Sequence, residues 1–357
     1  YEICACLVGS EMCIRDRSMT ENGMRPPVTD AHLDLAFDLE KQRAYGKRAV
    51  LNRDYLPFFQ AGGLTLVVSS IFVENLFVPE MALRMALRQI AALKADIADC
   101  ADHFSFCVTH RDVEEANRQG KIAVMLSFED CIPLYQDLSI LPLFYELGVR
   151  FMGLSWSRRN FACDGSSLGP KEWGTPGGLT GFGIALVRRC RELGMLLDVS
   201  HLSPAGFADV LRYTDGPLIA SHSNARAIVD TERNLSDDQI RLIAERKGFI
   251  GVNAMNFITS PEGMPENAAA LAKHVAHIAS IGGVECVGFG FDLNDQILKY
   301  IPQDELDIVP RKCGDVLHTH AELPLLIEEL DRAGFNEKEQ SLIAGENYMR
   351  LLRENLD

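Results

Sequence analysis

Eight apolar runs of β type recur along this 357-residue chain, separated by stretches whose apolar residues return every three or four positions. The runs are Val28 to Asp34, Leu64 to Val73, Ile122 to Glu129, Val149 to Trp156, Met195 to His201, Pro217 to His222, Phe249 to Met255 and Cys286 to Asp292. Between them, Pro79 to Asp102, Leu179 to Leu193, Ser236 to Arg246 and Ala268 to Ile281 read as amphipathic helices. Ser236 followed by Asp237 and Asp238 supplies an N-cap and an acidic first turn. Alternation of this kind predicts a parallel α/β architecture. Strands apolar on both faces, repeated eight times, fit a closed (β/α)8 TIM barrel of the metal-dependent hydrolase type. A doubly wound open sheet is the alternative.

Residues able to bind a metal sit where these runs stop. His201 and His222 end two of them, Glu129 ends a third, and the first run carries both His32 and Asp34. Period-two alternation puts His32 and Asp34 on one strand face. Active sites of barrels form at the C-terminal strand ends, so all five candidates are expected to meet there. Three imidazoles and two carboxylates suit zinc or a similar divalent ion. Five protein ligands suit two ions: His32, Asp34 and Glu129 for one, Glu129, His201 and His222 for the other, with Glu129 as the bridge. Two such ions lie about 3.5 to 4 Å apart and acidify a shared water that attacks a polarised carbonyl. Asp292, ending the last run, is the natural proton carrier between that water and the leaving amine. His103, His110, His274, His277, His318 and His320 lack strand-end placement and are expected in surface or capping roles.

Bulk properties narrow the partners. Acidic residues outnumber Lys plus Arg, 50 to 35, which leaves a net charge of −15 and argues against a nucleic-acid or anionic-membrane surface. Small molecules are the expected partners. Ten cysteines without a CxxC pair read as free thiols of a reducing, cytoplasmic setting. No apolar run reaches the roughly 18 to 20 residues of a membrane-spanning helix. Residues 1–18 resemble a translated adapter and are set aside, leaving 19–357 as one barrel domain. Two irregular segments, Ser157 to Gly178 and Leu293 to Cys313, are expected to overhang the site.

From about Val28 to Leu352 the chain resembles the membrane (renal) dipeptidase family of zinc peptidases. The matching stretches are Asp30 to Asp34, Glu129, Gly148 to Phe151, Gly178 to Thr180, Phe182-Gly183, Leu193 to His201, Ser221 to Arg226, Arg233-Asn234 and Gly345 to Asn347. The resemblance implies two Zn2+ ions on the five ligands above and hydrolysis of dipeptides, often with a D-residue in second place. It also implies that Arg233 receives the substrate carboxylate, a task suited to a bidentate guanidinium. Two departures stand out. Trp156 occupies the place of a histidine that in vertebrate members binds substrate, and Asp292-Leu293-Asn294 replaces the usual Asp-Phe-Asp. Indole donates one hydrogen bond and carries no charge, so oxyanion stabilisation is expected to fall on zinc, Arg158, Arg159 or Asn160. These departures point to a bacterial-type member with shifted substrate preference, and the resemblance implies a homodimer. Competing readings keep the barrel but give it another amide, lactone or phosphoester, or make it a silent metal-binding scaffold.

Overall fold

The structure, a computed structural model, describes residues 26–166, 177–295, 297–300 and 313–357. The adapter-like segment 1–18, and the parts of the two overhanging segments at 167–176 and 301–312, lie outside the described residues.

Strands β1 (Thr29–Leu33), β2 (Leu66–Ile71), β4 (Ile122–Phe128), β5 (Val149–Gly153), β6 (Leu196–Asp198), β7 (Leu218–Ala220), β8 (Phe249–Val252) and β9 (Val287–Phe289) pair in parallel, in that order. They form a nearly closed (β/α)8 barrel. One strand was not foreseen: β3 (Phe104–Phe106) pairs only with β4, outside the barrel path. The strands are shorter than the apolar runs, because the last residues of each run turn away into the site loops. The expected helices occupy Ala82–Asp99, Gly181–Glu192, Asp237–Glu245 and Ala268–Gly282. Ser236 caps the third in a capping box with Gln239.

Alternate strand residues serve two buried layers. Leu66, Val68, Ala123, Met125, Phe151, Leu196, Ile219 and Phe249 cluster with Tyr348 and Leu352 of the C-terminal helix Asn347–Asn355, which closes the barrel end away from the site. Their neighbours, such as Val67, Val124, Leu197, Leu218 and Ile250, pack outward against the helices. This explains why the strands read as unbroken apolar runs.

The seam between first and last strands is closed partly by a side chain. The Asp292 amide donates to the His32 carbonyl at 3.0 Å, while Asp30 Oδ1 accepts from the Phe291 amide at 2.9 Å and the His32 amide at 3.2 Å. Asp30 Oδ2 accepts from His320 Nε2 at 2.7 Å, with both residues buried. His320 is therefore an interior seam residue, contrary to the surface role expected of it. His274 is a second correction: it lies buried, accepts from the Ala225 amide at 3.1 Å and donates to the Thr259 carbonyl at 2.8 Å. It ties the loop after β7 to the loop after β8. His277 and His318 remain outside, on Asp237 and Asp295.

Burial lowers the His274 pKa to about 4. A folded-state pKa below the unfolded value near 6.5 contributes stability that is complete above pH 6.5 and lost as pH falls toward 4, by roughly 3 kcal/mol. Urea denaturation from pH 7 to 4 is expected to show that slope and to lose part of it in His274→Asn. An unchanged slope in the variant contradicts this role.

Candidate metal centre

The five proposed ligands reach one pocket by different local devices. β1 ends at Leu33 after a register shift between Asp30 and Leu33, and Asp34 follows as N-cap of the helix Leu35–Ala44. His32 and Asp34 therefore converge through a bulged strand end rather than through the plain alternation expected. Glu129 directly follows β4, His201 lies three residues past β6, and His222 lies two past β7. His201 (φ 66°), Asp292 (φ 53°) and Ser157 (φ 42°) all hold left-handed backbone conformations. Such conformations cost about 1–3 kcal/mol for residues other than glycine and concentrate at functional sites.

Donor atoms crowd around Glu129. Its Oε1 lies 3.2 Å from His201 Nε2, 3.6 Å from His222 Nε2 and 3.8 Å from His32 Nε2. His32 Nε2 is 3.9 Å from Asp34 Oδ1 and 3.8 Å from Asp292 Oδ1. The groups His32, Asp34, Glu129 and Glu129, His201, His222 each gather within 4.8 Å, sharing Glu129. His32 Nε2, Asp34 Oδ1 and Glu129 Oε2 are buried without any hydrogen-bond partner. Buried polar atoms are seldom left unpaired, and these three belong to the ligand types that a divalent ion takes. The residues present thus fit a metal centre.

The rings are oriented from behind. Ser157 Oγ meets His201 Nδ1 at 2.8 Å, and Ser221 Oγ meets His222 Nδ1 at 2.6 Å. A hydroxyl accepting from Nδ1–H leaves the Nε2 lone pair for a metal. Asp198 also approaches the nitrogens of His32 and His222. Its Oδ1 accepts from the Ser200 and Ser221 amides at 2.9 and 3.1 Å, which fixes the backbone that carries His201 and His222.

Burial is the largest cause of every pKa displacement here. It lowers His32 to about 3, with help from the Arg233 charge, and lowers His201 and His222 as well. It raises Asp34, with Asp292 adding repulsion, and raises Glu129, with Asp34 and Asp292 adding theirs. Asp292 rises to about 7, although Arg233 and Asn253 pull the other way. Neutral imidazoles are ready to ligate. Carboxylates that resist ionisation together make a strong case for a cation.

Arg233 is buried in the same pocket. It donates from Nη2 to the His222 carbonyl at 2.8 Å and from Nη1 to Ser223 Oγ at 2.9 Å, and its Nη2 lies 3.1 Å from His201 Nε2. Asp292 Oδ2 accepts from Asn253 Nδ2 at 2.9 Å. Trp156 is half-buried, its ring 6.1 Å from that of His201. Asn160 lies differently. Its amide donates to Asp130 Oδ1 and the Leu154 carbonyl, at 2.8 and 2.7 Å, and accepts from the Ala162 and Cys163 amides, at 2.8 and 3.0 Å. These bonds, within the loop and across to Asp130, use its hydrogen-bonding capacity, so the expected substrate contact by Asn160 is withdrawn. Arg158 and Arg159 are likewise engaged, with Asp130 and Asp164.

Sequence matching over residues 23–356 decides the family. The chain belongs to the membrane dipeptidase family, peptidase family M19. A Klebsiella pneumoniae relative described as an uncharacterized protein in the pqqA 5' region is 30% identical over 282 residues, 77% of this chain and 98% of that one. Among solved structures, dipeptidase AC, an M19 metallopeptidase, superposes with a TM-score of 0.79 at 26% identity, covering 92% of this chain and 98% of that one. A Rhodobacter sphaeroides metallopeptidase bound to a phosphinate mimic of L-Ala-D-Ala gives 0.79 at 25% identity, covering 92% and 99%.

Supporting residues of this M19 member are hidden in the sequence. Asp130, buried beside Glu129, accepts from the Trp156 amide at 3.3 Å, Arg158 Nε at 3.2 Å and the Ile132 amide at 2.9 Å, knitting the β4 and β5 loops. Its position one residue past a proposed ligand was the available signal. Ser157 and Asn253 carried none, since their roles exist only in three dimensions.

Zinc added to metal-free protein at about 100-fold over Kd is expected to raise Tm by roughly 5 °C or more. Metal-free Glu129→Ala is expected to melt no lower than the metal-free parent, because a repelled buried carboxylate is gone, and to respond far less to zinc. Scanning calorimetry of both proteins reads this; an equal response contradicts the ligand role.

Proposed function

We propose that this M19 hydrolase is a cytoplasmic binuclear zinc dipeptidase in which His32, Asp34 and Glu129 would hold one ion and Glu129, His201 and His222 the other. Family membership and metallopeptidase neighbours support metal-dependent dipeptidase activity. No helix among the described residues is long and apolar enough to cross a membrane. The seven described cysteines are free thiols, as a reducing compartment favours. The observation that carries the zinc reading is the set of three orphaned donor atoms on His32, Asp34 and Glu129, with Arg233 buried beside them.

When bound, the ions supply Lewis acidity toward the scissile carbonyl and a nucleophilic water at neutral pH. The chain's own residues do the rest. Arg233 holds the substrate's terminal carboxylate, and the low dielectric around it strengthens that charge-assisted bond. A pocket that grips a carboxylate favours substrates that end one residue after the scissile bond, and membership of a dipeptidase family supports a single residue before it. Asp292, 3.8 Å from His32 Nε2, accepts the water proton at Oδ1 and returns it to the departing amine. The Asn253 amide on Oδ2 keeps the other oxygen turned inward. The L-Ala-D-Ala mimic seen in the Rhodobacter relative extends the proposed range to L-Xaa-D-Xaa substrates.

A ninhydrin screen of L,L- and L,D-dipeptides with zinc-reconstituted protein tests this reading. Asp292→Asn is expected to lower kcat by about 10²- to 10⁴-fold. Arg233→Met is expected to raise KM by roughly 10- to 100-fold, the range of a charge-assisted hydrogen bond. Folded, zinc-loaded protein that turns over no dipeptide, or Arg233→Met with unchanged KM, contradicts the assignment and favours a substrate without a carboxylate.

A further inference from the structure

A small aromatic cluster stands apart from the barrel core, at the same end as the metal centre. Phe37, Phe72 and Ile297 are buried in it, and the half-buried Trp156 and Tyr300 pack against them. The rings touch in series: Trp156 to Phe72 at 5.0 Å, Phe72 to Phe37 at 5.8 Å, and Phe37 to Tyr300 at 6.0 Å. All five residues follow strand ends, those of β1, β2, β5 and β9. Trp156 is the member nearest the reacting groups, 6.1 Å from the His201 ring. Its backbone amide donates to the buried Asp130, which fixes the main chain that carries the indole, and the ring itself rests on Phe72.

Topology says which part of a substrate meets this wall. Arg233 comes from the loop after β7, and in the strand order β1-β2-β4-β5-β6-β7-β8-β9 the strand directly across the barrel from β7 is β2. Phe72 immediately follows β2. A dipeptide held by its carboxylate at Arg233 and crossing the metal centre presents its amino-terminal residue to the β2 side. We infer that Trp156, backed by Phe72 and Phe37, forms the subsite for the amino-terminal side chain and selects dipeptides that begin with a bulky apolar residue. This rests on the dipeptidase reading above and on Arg233 as its anchor. The physical basis is burial of apolar surface against a rigid aromatic face. A polar histidine at position 156 would not offer that face.

The test compares kcat/KM of the zinc-loaded enzyme for Leu-Gly and Ala-Gly, which vary the first residue, and for Ala-Leu and Ala-Ala, which vary the second. Leu-Gly is expected to exceed Ala-Gly by about tenfold or more, with the second pair differing by less than about threefold. In Trp156→Ala the Leu-Gly to Ala-Gly ratio is expected to shrink about fivefold or more, while Trp156→Phe keeps most of it. A ratio divides out a general loss of folded enzyme. Turnover with no first-residue preference, a preference confined to the second residue, or an unaltered ratio in Trp156→Ala overturns the subsite and leaves the dipeptidase reading standing. No turnover of any of the four dipeptides overturns both.

Discussion

A pocket that buries Asp34 and Glu129 among three imidazoles, with the half-buried Asp292 beside them, cannot be electrically content on its own. Desolvation raises the pKa values of all three carboxylates, repulsion from Asp292 adds to it at Asp34 and from Asp34 and Asp292 at Glu129, and Arg233 is the one cation among the groups whose charges act on both Glu129 and Asp292. Removing several like charges from water costs several kcal/mol per ion unless each is compensated. Divalent cations would compensate them, and would also occupy the orphaned atoms of His32, Asp34 and Glu129. The deficit belongs to the metal-free pocket, and the ions that would relieve it would lie beside Asp292, the proposed proton carrier.

The barrel holds this unfavourable arrangement in place. Asp30 joins the amides of His32 and Phe291, so a single carboxylate locks a proposed ligand strand to the strand that delivers Asp292. His320 in turn fixes Asp30. The left-handed backbone at Ser157, His201 and Asp292 points the same way, as positions where the fold accepts local strain to aim a side chain. A closed sheet with an apolar layer on each face supplies the rigidity that makes such strain bearable.

The eight-strand architecture was legible because burial on both faces writes each parallel strand as a continuous apolar run, and the runs are regularly spaced. The metal-type residues were legible because they end those runs. Three things were hidden. β3 is three residues long and satisfies no pattern. His274 and His320 fall within or just before helical stretches, away from strand ends, which suggested surface or capping roles, yet each is buried by partners from elsewhere in the chain, Thr259 and Asp30. Asn160 was expected at the substrate because it lies near Trp156, but hydrogen bonds to its own loop and to Asp130 of the loop after β4 use its amide. Sequence shows where a polar group sits along the chain. Whether that group is free to meet a ligand depends on which distant atoms fold against it.

The most direct measurement is anomalous diffraction at the zinc absorption edge from crystals of the zinc-reconstituted protein. The account predicts two peaks about 3.5 to 4 Å apart, with the Glu129 carboxylate between them, His32 and Asp34 on one and His201 and His222 on the other. A single peak, or a pair in which Glu129 touches at most one ion, would contradict it.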